Sequence, residues 1–250
     1  MSEHIVVERQ GAVQTIRMNR PDKKNAITRA MYGAMAKALT EGDADPSVRC
    51  HVILGVPGAF SAGNDMADFM VVAMGGDGGT EVFAFLEALA RAAKPIVSAA
   101  DGIAVGIGTT IHLHCDLTYA SARTVFKTPF VDLALVPEAA SSLLAPRLMG
   151  HQRAFALLAA GEGFSAAAAR DAGLVYAVVE PSAVEAETLA AARRLAAKPP
   201  KALSIARSLI RGDRADVAAR IDEEAGHFAA QLKSPEARAA FEAFMARGKG

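Results

Sequence analysis

Two runs rich in β-branched residues, HIVVER and AVQTIRM, open the chain between His4 and Met18, with Gln10-Gly11 between them. Branched side chains suit a pleated surface and glycine permits a tight reversal, so this segment predicts a β-hairpin. After the polar stretch NRPDKKNA the period changes from two residues to between three and four. Met31, Met35 and Leu39 recur at helical spacing, Thr28 stands at the N-cap position, and the helix is expected to end near Gly42. The continuous apolar run HVILGV then predicts a buried strand. Helical spacing returns from about Thr80 to Ala93, with Val82, Phe83, Leu86, Leu89 and Ala90 on one face, and Pro95 ends it before the strand PIVSAA. A further helix is expected over about Gly106 to His114, followed by the strand DLTYAS.

The middle of the chain therefore repeats a plan of buried strand, glycine-bearing bend and helix, at 51–70, 95–115 and 116–149. That is an α/β layout. From about Pro181 strands give way to Ala-rich helices, broken at Lys198-Pro199-Pro200, Gly212-Asp213 and Ser234-Pro235. Their apolar residues, among them Phe228, Leu232, Phe241 and Phe244, need a surface on the core or on another subunit, so an oligomer is expected.

Composition narrows the functional classes. The 250 residues are 52% hydrophobic, enough for one large core, and Lys+Arg and Asp+Glu are both 27. A chain of zero formal charge has no broad basic face for a nucleic-acid backbone. The two cysteines, Cys50 and Cys115, form neither a disulfide framework nor a metal motif, which fits a reducing interior such as the cytoplasm. The opening MSEHIVVERQ is charged where a signal peptide is apolar, and no stretch approaches the length of a membrane span, so neither export by that route nor a membrane location is expected.

Several stretches could carry chemistry. The loop GAFSAGNDMADF follows a buried strand and leads to a helix start near Asp65; its amides could face an anionic atom, or it could be an ordinary turn. In DGIAVGIGTTIHLH a strand feeds a glycine bend and a helix, again the layout of a backbone donor site. Its G-x-G-x-x-I spacing lacks the third small residue of a dinucleotide fingerprint. Glu138, in the apolar segment LVPEAASSLL, would lose hydration and gain proton affinity, as a general base requires; it could equally be a first-turn glutamate after Pro137 that complements a helix dipole. His112 and His114 lie two apart on a helix and do not converge on one metal, and Ser61 is one residue off a nucleophile elbow, so neither a metal site nor a serine hydrolase is expected.

Three ordered stretches, NRPDKKNAIT, FSAGNDMADF and DGIAVGIGTTIHLHCDLTYAS, together resemble the enoyl-CoA hydratase/isomerase (crotonase) superfamily, and the likeness runs on through TPFVDLALVPEAASSLLAPRLMG and most of the remaining chain. The resemblance implies a crotonase (ClpP-like) spiral of β-β-α units over residues 1–195 and a C-terminal helical trimerisation region over 196–250. It implies an acyl-CoA thioester substrate, no cofactor beyond the coenzyme A of the substrate, and a homotrimer or dimer of trimers. By position, the backbone amides of the family's oxyanion hole fall on Asn64 and Ile107. Lys24, Ala62, Gly63, Asp65 and Met66 fall where the coenzyme A portion is contacted or the loop is braced.

The family's hydratases position water with two glutamates, and those positions here hold Thr110 and Phe130. The motifs GNDM, VGIGTT, TPF and VPEAASS look instead like the peroxisomal-type Δ3,Δ2-enoyl-CoA isomerases, which use one glutamate, at Glu138. The implied reaction is a double-bond shift through a dienolate, with Glu138 as both base and acid. The alternatives within the resemblance are a hydratase, another crotonase-type acyl-CoA enzyme, or a non-catalytic CoA-binding homologue. Ala140 departs from the small or glycine residue usual at its place, in a segment lining the acyl site.

Overall fold

The computed structural model describes residues 2–73 and 80–247. The expected hairpin forms from β1 (Ile5–Gln10) and β2 (Val13–Met18), with Gly11 at φ +60° in the turn. Helix α1 (Arg29–Ala44) begins where the Thr28 hydroxyl accepts the Met31 amide, and it buries Met31, Met35 and Leu39. The chain then runs through β3 (Cys50–Leu54), β4 (Ala59–Ser61), α2 (Met66–Ala73), α3 (Glu81–Arg91), β5 (Ile96–Ala100), β6 (Ile103–Val105) and α4 (Ile107–Thr110). The helix expected over Gly106 to His114 is present but tightens to a 3₁₀ turn at Ile111–His114 before β7 (Leu117–Ser121). Next come β8 (Val125–Lys127), α5 (Ser141–Met149), α6 (His151–Leu158), β9 (Phe164–Ser165), α7 (Ala166–Asp171) and β10 (Ala177–Val179). The helices α8 (Val184–Ala196), α9 (Pro200–Arg211), α10 (Ala215–Leu232) and α11 (Pro235–Arg247) complete it, as the strand-free pattern after Pro181 requires.

The strands sort into two sheets, ordered β1-β2-β3-β5-β7-β10 and β4-β6-β8-β9. Beyond the hairpin the large sheet is parallel, and β4, β6 and β8 are parallel to one another. Each turn of the spiral gives one strand to the large sheet and the next, very short one to the small sheet. A parallel sheet covered on both faces reads as unbroken apolar sequence. In β3, Ile53 faces the main core, while Cys50, Val52 and Leu54 face a second cluster closed by Ala191 and Ala192 of α8. The tail finds its partner on the same chain: Leu232 and Phe241 are buried in the main core and Phe228 packs against it. Phe244 remains exposed, as do Leu209 and Ile210 of α9. No described helix is long and apolar enough to cross a membrane.

Candidate active site

The parallel strands β4 and β6 end side by side, so the loops leaving them touch. In the first loop the Ala62 amide donates to the Lys24 carbonyl (2.9 Å), the Gly63 amide to the Ser61 hydroxyl (3.1 Å) and the Asp65 amide to the Ile27 carbonyl (3.0 Å). Of these successive amides, that of Asn64 is left without an acceptor among the described residues. In the second loop the Gly106 amide donates to the Lys127 carbonyl (2.8 Å), and the Thr109 and Thr110 amides to the Gly106 carbonyl (2.8 and 3.0 Å). Ile107 and Gly108 occupy the first turn of α4, whose amides have no intrahelical acceptor. Gly106 sits at φ +56°, ψ −122°, a conformation that side chains oppose. Gly108 is needed for a different reason: a Cβ there would lie 2.8 Å from the Ser61 carbonyl oxygen.

The expected contact or brace residues hold this loop, and Asp65 also lines the cavity beside it. Asp65 pairs with Arg20 (2.5 Å) and accepts the Ala67 amide (2.9 Å) at the start of α2. Lys24 is exposed, at φ +48°, and it is its carbonyl that engages the loop. Met66 packs against the core, and the Ile107 side chain is buried in it. Ser61 is fully buried at the end of β4, its hydroxyl donating to the Asn25 carbonyl (2.8 Å), so it is a structural residue and not a nucleophile.

Glu138 projects from the segment before α5. It is not the first-turn glutamate that Pro137 suggested, because Ala139 and Ala140 both turn left-handed, at φ +59° and +54°, and the helix begins only at Ser141. Each such turn at a non-glycine residue costs about 1 kcal/mol, so its neighbours must hold it. His114 Nε2 does so at the Ala139 carbonyl (2.7 Å). Ala140 is fully buried and shapes the backbone rather than the cavity wall. Glu138 is 8% exposed, and the Thr110 hydroxyl donates to its Oε1 (2.5 Å). Burial pushes its carboxyl up to about 8; the Thr110 bond opposes that rise and the nearby Glu224 adds to it.

Glu138, Asn64 and Asp65 meet at a cavity of about 170 Å³, walled largely by apolar side chains of α3 and α10, with Arg29 and Tyr32 of α1 beside them. Thr110, which bonds Glu138, and Phe130 are both buried, and neither is an acid. The Tyr32 hydroxyl donates to Asn64 Oδ1 (2.5 Å). Burial, then the charges of Glu138 and Asp68, hold the Tyr32 phenol well above its ordinary range, so it stays a donor and fixes the Asn64 side chain. Periodicity could not find Tyr32, Thr110 or Glu224 as partners of the site, because each comes from a distant part of the chain and obeys the pattern of its own helix.

The two histidines engage different partners. His112 Nδ1 meets the Ser98 hydroxyl at 2.8 Å between Phe60 and Phe126, whereas His114 holds Ala139. Burial lowers His112 to about 3 and His114 to about 4, from an ordinary 6.5. Both therefore stay neutral in the fold while the unfolded chain takes up protons below 6.5. The stability these two histidines contribute is complete above that pH and is lost as pH drops toward 4. In thermal unfolding the Tm of the wild type relative to His112→Gln should drop as pH falls from 6.5 to 4, because only the wild type carries the His112 penalty; a difference independent of pH would contradict the assignment.

A family model described as enoyl-CoA hydratase/isomerase matches residues 8–250. The chain is 34% identical over 228 residues to enoyl-CoA delta isomerase 2 of Rattus norvegicus, covering 89% of this chain but 58% of that protein's length. It is 29% identical over 254 residues to the 1,2-epoxyphenylacetyl-CoA isomerase of Escherichia coli (strain K12), covering 99% and 97% of the two chains. Among solved structures, Pseudomonas aeruginosa OdaA superposes with a TM-score of 0.93 at 42% identity, over 98% of this chain and 99% of the other. With two abutting donor loops, a β-β-α spiral and a family match over nearly its whole length, this chain belongs to the enoyl-CoA hydratase/isomerase family and has the crotonase fold.

Proposed function

We propose that the protein is a Δ3,Δ2-enoyl-CoA isomerase acting on an acyl-CoA thioester. The observation that carries this reading is Glu138, a buried carboxyl of raised proton affinity at the cavity, with Thr110 and Phe130 where hydratases carry their acids. The Asn64 and Ile107 amides would receive the thioester oxygen. Glu138 takes a proton from C2, and the electron pair passes into the carbonyl, giving a dienolate whose charge rests on that oxygen. Each such donor contributes a few kcal/mol to the transition state. Protonated Glu138 then returns the proton at C4, leaving the double bond between C2 and C3, and the carboxylate is regenerated.

A paired assay tests the reading. The protein should convert a 3-enoyl-CoA to its conjugated isomer and fail to hydrate a 2-enoyl-CoA. Since the base must be ionised, kcat/KM should rise as pH increases through about 8. Hydration of the 2-enoyl substrate, or silence on both, would reject the isomerase. The near full-length match to the Escherichia coli protein favours one second reading, isomerisation of an epoxide of an aromatic acetyl-CoA, and that substrate belongs in the same assay.

A further inference from the structure

The cavity holds a second buried carboxyl group that the reaction above leaves unused. Glu224, 6% exposed, comes from α10 and lines the same cavity as Glu138. Its Oε1 accepts from the Ser142 amide (2.9 Å) and the Ser142 hydroxyl (2.5 Å), and that hydroxyl accepts from Arg220 (3.0 Å). These bonds place a carboxyl group on the first turn of α5, where unpaired amides and the helix dipole favour it. They also fix the chain just beyond the left-handed pair Ala139-Ala140, while His114 fixes the Ala139 carbonyl on the other side. Glu138 is thus aimed by a turn clamped at both ends. The other oxygen of Glu224, Oε2, is buried and meets no donor at hydrogen-bond geometry among the described residues, while the Ala140 amide of the same turn lies near enough to the carboxyl to favour its charged form.

We propose that Glu224 is a positioning residue for Glu138: it clamps the turn that aims the base into the cavity and, as a second carboxyl in that cavity, sets the pH at which the base ionises. This rests on Glu138 being the base. The other titratable groups around the pair are Tyr32 of α1, Asp65 with its partner Arg20, Asp68 of α2, the Arg29–Glu81 ion pair, His114, and Arg220 with its partner Glu223 on α10. Arg220 is shared with Glu223 (2.9 Å) and Ser142. Two interacting carboxyls in one cavity titrate as a pair, and the upper step belongs to both. Removing the ionisable group at 224 lowers that step whichever oxygen carries the proton.

Glu224→Gln keeps an oxygen for the two Ser142 donors and removes the charge. Carboxylate titration by infrared difference spectroscopy should show a wild-type step near 8 that vanishes in Glu138→Gln. In Glu224→Gln the step should move down by about one unit, and the acid limb of kcat/KM should move with it. The weaker base would lower the plateau kcat severalfold while KM holds. Ser142→Ala, which loosens the clamp but leaves both carboxyls, should lower kcat by about tenfold with the step still near 8. A step and acid limb that stay in place in Glu224→Gln, or an unchanged kcat in Ser142→Ala, would overturn the proposal. If instead the step persists in Glu138→Gln, or that variant turns over, it is the assignment of Glu138 as base that fails.

Discussion

Glu138→Gln should lose turnover by about a thousandfold or more and yet unfold at a higher temperature than the wild type at pH 8. The first effect follows because an amide cannot accept the C2 proton, while the Thr110 donor still finds an oxygen to hold. The second follows from linkage. A free glutamate ionises near 4.5 and the folded one near 8, so between these values the folded state binds the extra proton. The contribution of this carboxyl to stability therefore falls as pH rises through that window, opposite in sign to that of the two histidines, and the penalty at pH 8 is on the order of a few kcal/mol. Glutamine carries no such penalty. Each kcal/mol is worth about 2–4 °C for a chain of this size, so the gain in Tm is measurable and should be larger at pH 8 than at pH 5. Retained turnover, or a Tm difference independent of pH, would mean that the buried carboxyl is not the base of this site.

Gly108→Ala should reduce kcat by about a hundredfold. A methyl group at this position meets the Ser61 carbonyl at 2.8 Å and the Ser61 Cβ at 2.9 Å, both held rigidly in the small sheet. Relief requires the two loops to part, which separates the Asn64 and Ile107 amides that the proposed mechanism brings to one oxygen. Gly11→Ala is the matched control: its φ of +60° opposes a side chain, but no atom lies within 4 Å, so it should cost stability and leave kcat alone. Steady-state kinetics and thermal unfolding of both variants separate the two effects. Equal kcat values in Gly108→Ala and wild type would show that loop contact does not position the donors.

The hydrophobic pattern was sufficient for the elements that bury wide faces. The hairpin, α1 with its Thr28 cap, the strands β3, β5 and β7, and α3 all appear where spacing placed them. The small sheet was not legible: β4, β6 and β8 are three residues each, too short for a period of two, and β4 and β6 lie inside what reads as glycine-bearing bends. Yet this sheet is what brings the two loops into contact. The motifs of those loops were visible, and so was Glu138, but the chain alone left it open between a base and a helix-capping residue. Its setting was decided by Ala139 and Ala140, whose left-handed backbone no propensity favours and which persists because His114 and Glu224 reach it from distant elements. Local spacing reports which side of a helix or strand faces inward. Which buried carboxyl meets which hydroxyl, and which amide is left without an acceptor, depends on contacts between segments far apart in the chain, and those exist only once it has folded.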